Sequence, residues 1–174
     1  MSAGPRLLLL SSEFPPGPGG IGMHAYQLAR HLAAGGWLVT VATPQAYVAA
    51  AARADFNRRQ PFAVITLPER DAGPLWPVAR LRALAGAMGA ARPDILLASG
   101  RRALWTAALL GPLYRRPYVA VGHGSEFHSG SALPRVLTGR SIAAAAAVVA
   151  VSEYTAGLVR AAGRPRELVV IPNA

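Results

Sequence analysis

His123-Gly124-Ser125-Glu126 sets an imidazole and a carboxylate three residues apart on a short glycine-containing stretch. Imidazole changes charge near neutral pH, which makes His123 a candidate catalytic group. Glu126 is a candidate for holding sugar hydroxyls. Each has a plain structural alternative, a histidine that hydrogen-bonds its own loop and a solvated loop charge. Far upstream, Gly17, Gly19 and Gly22 spell the GxGxxG pattern of a dinucleotide-binding turn, in which bare amides at a helix N-terminus meet a pyrophosphate. Pro18 interrupts the pattern, and no Asp or Glu falls between Glu13 and Asp55 to hold a ribose hydroxyl. A nicotinamide or flavin oxidoreductase is therefore the weaker reading. The surviving feature is physical: Gly19, Gly20 and Gly22 offer unhindered amides and the positive end of a helix dipole to an anion. The alternative is a turn whose glycines only permit positive φ.

Two further turns contain candidate residues. Ser152-Glu153-Tyr154-Thr155 reads as a helix N-cap with an acidic first turn, and the capping serine also stands where a strand ends. Ser99-Gly100-Arg101-Arg102 is a small-residue turn with two guanidiniums that suit a phosphate, or that serve as solvated helix charges. His24 and His31 lie seven apart on one helix face and read as surface or edge residues, while His128 reads as a loop residue. The chain has no cysteine, which removes disulfides, thiolate zinc sites and cysteine nucleophiles. It has no lysine, so a P-loop is excluded. No His, Asp or Glu group has metal-ligand spacing and no Gly-x-Ser-x-Gly elbow occurs, so no metal site and no hydrolase is expected.

The elements that must position these residues follow a regular order. Arg6 to Ser12 reads as a buried strand entering the Pro15 to Gly20 loop. Ala25, Leu28, Ala29, Leu32 and Ala33 recur at helical spacing, and Gly35-Gly36 marks the stop. Further strands are expected at Trp37 to Thr43, Phe62 to Leu67, Asp94 to Ala98, Tyr118 to Val121, Ala147 to Val151 and Leu168 to Ile171. Helices are expected over Val78 to Ala91, Arg101 to Leu113, Leu133 to Ala144 and Glu153 to Ala162. Near-continuous apolar strands alternating with helices predict an α/β doubly wound, mainly parallel, seven-stranded Rossmann-like sheet. Ligands in such folds sit beyond the carboxyl ends of strands, which directs attention to the loops after Ser12, Ala98, Val121 and Val151.

The 174 residues suit one domain. The longest apolar run, Ile142 to Val151, is ten residues and falls short of the roughly 20 that cross a bilayer. A cytoplasmic protein is expected. The net charge of +10 comes entirely from arginines, scattered singly and in pairs. Such a surface suits phosphates and anionic lipid headgroups, giving peripheral membrane contact as an expectation, while the absence of an aromatic-interleaved basic stripe argues against nucleic acid.

Taken together, Glu13-Phe14-Pro15-Pro16, Gly19-Gly20-Ile21-Gly22 and the helix bearing Leu28-Ala29-Arg30-His31-Leu32 resemble the opening of family 4 retaining glycosyltransferases. Val121-Gly122-His123-Gly124-Ser125-Glu126 resembles that family's His-Gly loop. Val148 to Ser152 and Val170-Ile171-Pro172-Asn173 resemble its approach to the interdomain linker. The resemblance implies a GT-B fold whose N-terminal, acceptor-side domain spans 1–174, with the donor nucleotide held chiefly by a C-terminal domain absent from these residues. It implies transfer of a sugar from a nucleotide-sugar co-substrate to an acceptor (a sugar, a lipid-linked or a small molecule), with retention, no cofactor and no obligatory metal. By motif, Gly19, Gly20 and Gly22 would lie beside the donor diphosphate and acceptor, His123 near the transferring sugar, and Glu126 and Ser152 would be further binding residues. The chain alone is then expected to be inactive; the alternative is a non-catalytic module that binds an acceptor or a partner chain.

Overall fold

The computed structural model describes residues 4–45, 48–127 and 131–173. His128 lies outside them. Seven strands and six α-helices alternate: β1 (Arg6–Ser11), α1 (Gly20–Ala34), β2 (Leu38–Thr43), α2 (Ala50–Arg58), β3 (Ala63–Thr66), α3 (Trp76–Ala91), β4 (Ile95–Ser99), α4 (Arg101–Tyr114), β5 (Tyr118–Gly122), α5 (Ala132–Ala144), β6 (Ala147–Ala150), α6 (Glu153–Ala162) and β7 (Leu168–Val170). The strand order is β3-β2-β1-β4-β5-β6-β7, and the paired strands described below run parallel. This is the expected α/β architecture.

The chain packs as two compact units, residues 1–94 and 95–174. In the first, β1 is buried from Leu7 to Ser11 because crossover helices cover a parallel sheet on both faces. Leu7 pairs with Val39 and Val41 with Val64, which fixes the register of the three strands. Phe14, 2% exposed, stands edge-on to Tyr26, Phe56 and Phe62 at centroid distances of 5.9, 6.5 and 6.4 Å. That ring cluster anchors the loop leaving β1 to the rest of the unit.

Helix α2 was not among the elements expected from sequence. None of its residues is buried, so it shows no apolar periodicity to read; Ala-rich composition alone favours it. The other helices fall within about two residues of expectation, and α1 opens at Gly20, among the glycines expected at its head.

In the second unit β4, β5, β6 and β7 pair in sequence order. Ser99 is in register with Val121, and Gly122 with Ala150, so the carboxyl ends of β4, β5 and β6 lie level. Trp105 of α4 donates its indole N–H to Thr138 Oγ1 of α5 at 3.1 Å, and Tyr118 donates its hydroxyl to the Ser141 carbonyl. These bonds satisfy the polar tips of two large side chains, Tyr118 buried in the core and Trp105 half-buried between α4 and α5.

Candidate functional site

In the first unit the site begins where β1 ends. Gly19 precedes α1 with φ of 140°, in the region open to glycine, and makes no side-chain cap. The Glu13 carboxylate abuts it, so a negative charge already stands beside the positive end of α1. Gly20 is exposed, with nothing within 4 Å of where a Cβ would lie. Gly22 is its opposite: it is buried, and a Cβ would come within 3.0 Å of the Phe14 nitrogen and 3.1 Å of its Cα. The three glycines thus divide the work. Gly22 brings the helix against the Glu13-Phe14 backbone, Gly19 turns the chain, and Gly20 leaves the first helical turn open to a ligand.

His24, one turn further along α1, is half-buried, and burial holds its pKa below the ordinary imidazole value. His31 is exposed and its Nδ1 lies 2.8 Å from the Gln27 carbonyl.

In the second unit, His123 follows β5 directly and is half-buried. Two groups hold it. Its backbone N–H donates to Glu126 Oε1 at 3.0 Å, and its Nε2 lies 2.9 Å from Ser99 Oγ at the end of β4. Glu126 begins no open binding surface of its own: it is 3% exposed, sits in the short 3₁₀ turn Ser125–Phe127, and uses its carboxylate to close the His123 loop. Gly122 beneath is tightly surrounded, since a Cβ would meet the Phe127 ring at 3.3 Å and Thr155 Cγ2 at 3.4 Å. The imidazole is therefore mounted on a rigid base, as a group that must meet a ligand in one geometry requires.

Ser152 caps α6, accepting from the Thr155 N–H at 3.1 Å. The capping reading of that serine is what the geometry displays. Arg101 lies with its guanidinium 5.9 Å from the centre of the Trp105 ring, so it is at least partly engaged by its own helix. A groove of about 950 Å³ opens beside the Ser125–Phe127 turn, lined by Phe127, Val136 and Leu158 together with Arg135 and Arg140. Among the described residues no three His, Asp or Glu side chains gather as a metal cage.

Sequence reasoning missed Ser99 as the partner of the His123 ring. From sequence that serine belongs to a small-residue turn whose two arginines suit a phosphate or serve as solvated helix charges. The signal was present in part, because two adjacent parallel strands place their terminal residues side by side, but the register that matches Ser99 with Val121 is a tertiary fact.

The family described as Glycosyltransferase Family 4 matches residues 18–174. The chain belongs to this family. Solved structures share its fold: HepE of Anabaena, in complex with UDP and glucose, superposes with a TM-score of 0.69 at 20% identity, over 97% of this chain and 44% of HepE. Sucrose-phosphate synthase of Thermosynechococcus elongatus gives 0.73 at 17% identity, over 96% of this chain and 48% of the synthase. MurG of Acinetobacter baumannii gives 0.64 at 14% identity, over 98% and 46%. No curated protein sequence matches. This family 4 chain thus has the Rossmann-like fold of one GT-B half and spans a little under half the length of these enzymes. None of its described helices is long and apolar enough to cross a membrane.

Proposed function

We propose that this chain is the acceptor-side half of a glycosyltransferase that moves a sugar from a nucleotide-sugar donor to an acceptor with retention. The observation that carries the reading is family membership across residues 18–174. HepE's complex with UDP-glucose supports the nucleotide-sugar donor. In the first unit, the open turn at Gly19 and Gly20 would meet the donor diphosphate, with Gly22 setting the pitch of the helix. In the second unit, His123 would contact the transferring sugar, and Ser152 would add a hydroxyl near the end of β6. Glu126 would act through His123, by holding its loop, more than by touching a ligand.

On this reading the donor base and ribose are bound by a second domain. The reaction needs no cofactor and no obligatory metal, the protein works in the cytoplasm, and its basic surface favours peripheral contact with anionic membranes. The chain by itself would transfer no sugar.

The test is a panel of UDP- and GDP-sugars offered with sugar, lipid-linked and small-molecule acceptors to a protein carrying both halves. Product with the donor's anomeric configuration, seen by NMR, is expected; an inverted product removes retention, and transfer by the 174-residue chain alone removes the half-site. Binding of an acceptor with no transfer in the two-domain protein would favour a non-catalytic module.

A further inference from the structure

We infer a phosphate-binding site at the amino-terminal edge of the second unit's sheet, where Arg115, Arg116 and Arg166 line one small pocket. The pocket lies where α4 ends and where β5, β6 and β7 begin. His123 follows the opposite end of β5, a strand of five residues, which at the usual rise is about 16 Å away. This site is therefore separate from the one at the strand carboxyl ends.

The arginines leave a fixed frame. Arg115 closes α4 with φ of 54°, in the left-handed region that favours glycine, yet an arginine occupies it. Its N–H donates to the Pro112 carbonyl at 3.2 Å, and that of Arg116 donates to the Gly111 carbonyl at 2.8 Å. Gly111 permits this approach, because a Cβ there would come within 3.0 Å of the Arg116 carbonyl oxygen and of the Tyr118 ring. Arg166 enters from the segment before β7. Burial raises the Tyr118 pKa to about 12 and the charge of Arg166 pulls against that rise, so its positive field reaches a ring that lines the pocket.

Charge and size decide the ligand. Among the described residues none of the three guanidiniums has a carboxylate or hydrogen-bond partner, and no acidic residue lines the pocket. Against three positive charges stands only the carbonyl end of α4, worth roughly half a negative charge. An anion is favoured. The volume of about 240 Å³ falls below the roughly 300 Å³ at which sites for whole drug-sized molecules begin, so the pocket takes an anionic group and not an entire nucleotide. Guanidiniums present paired N–H donors that match phosphate oxygens. Two sources offer that chemistry: free phosphate, and a phospholipid headgroup whose chains would meet Leu109 and Leu113, 62% and 69% exposed on α4.

The test titrates the ¹⁵N-labelled 174-residue chain with inorganic phosphate, and with chloride at matched ionic strength, in proton–nitrogen spectra. The amides of Arg115, Arg116, Tyr118 and Arg166 should shift saturably with phosphate and not with chloride. Arg166→Gln should weaken binding about fivefold or more, the worth of one hydrogen bond to a charged group. Arg115→Gly, whose backbone conformation glycine adopts freely, should keep the folded amide spectrum and weaken binding to the same extent. Flotation with phosphatidylcholine vesicles containing phosphatidic acid separates the sources. Flotation that both variants lose assigns a lipid headgroup, and saturable phosphate binding without flotation assigns a free phosphate. No saturable shift together with no flotation, or binding unchanged in both folded variants, would overturn the inference. Sugar transfer enters neither arm, so this result and the glycosyltransferase reading stand or fall separately.

Discussion

Gly20 and Gly22 stand two residues apart on one helix and differ in what surrounds them. At Gly22 a methyl group would meet the Phe14 backbone, which cannot swing aside as a side chain can. Gly22→Ala gains up to about 1 kcal/mol of helix propensity but overpacks at a cost of about 1–3 kcal/mol, so a net loss in urea unfolding is expected. Gly20→Ala, with open space around it, should leave stability within about 0.5 kcal/mol and instead reduce donor binding by a protein carrying both proposed halves if the open turn receives the diphosphate. Equal effects on folding from both variants would show that the close approach at Gly22 is not a constraint. Residue types marked both positions as special; only the packed loop separates their roles.

Helices in this chain are held by different devices. α6 carries a side-chain cap at Ser152, and Ser152→Ala should cost about 1 kcal/mol, measured by chemical unfolding. An unchanged midpoint would mean that water serves the Thr155 N–H as well as the Ser152 hydroxyl does. α3 instead contains Gly86 and Gly89 on an exposed face with nothing within 4 Å. Gly86→Ala should stabilise the protein by about 0.5–1 kcal/mol, since the glycine contributes only conformational freedom to the unfolded chain. A loss in thermal unfolding would reveal a contact at that face. α2 shows the limit of reading elements from pattern. Its sequence lacks an apolar stripe because the helix buries no residue, although the Phe56 ring sits against Phe14 and Tyr26. One aromatic residue does not form a period.

For the molecule as a whole, pH is the variable that the buried titratable groups make legible. Burial lowers the pKa of His24, so the unfolded chain takes up a proton near pH 6.5 while the folded chain does so only at lower pH. Stability should therefore fall as pH drops below about 6.5. Burial raises Tyr118 to about 12 from 10.0, with Arg166 acting in the opposite direction. The unfolded chain then loses its phenolic proton first, and stability should decline as pH rises from about 10 towards about 12. Urea midpoints across pH should show a plateau between these limits. His24→Gln should flatten the acid limb and Tyr118→Phe the alkaline one, the latter with a lower plateau by about 1 kcal/mol for the lost bond to Ser141. Limbs that persist in these variants would assign the decline to other groups.

The amino-acid order alone determined the alternation of strand and helix, the parallel character of the strands, and the strand-to-helix junctions at or beside which Gly19, Gly20, Gly22, His123, Glu126 and Ser152 lie. Those features follow from the period of apolar residues and from turn chemistry, which act within a few residues along the chain. Packing decided the rest: that Gly22 is pressed on Phe14, that Glu126 turns inward to hold the His123 backbone, and that a serine 24 residues away in sequence grips the imidazole. Such contacts depend on strand register and burial, which arise only when distant segments share one core, so no local pattern in the chain could announce them.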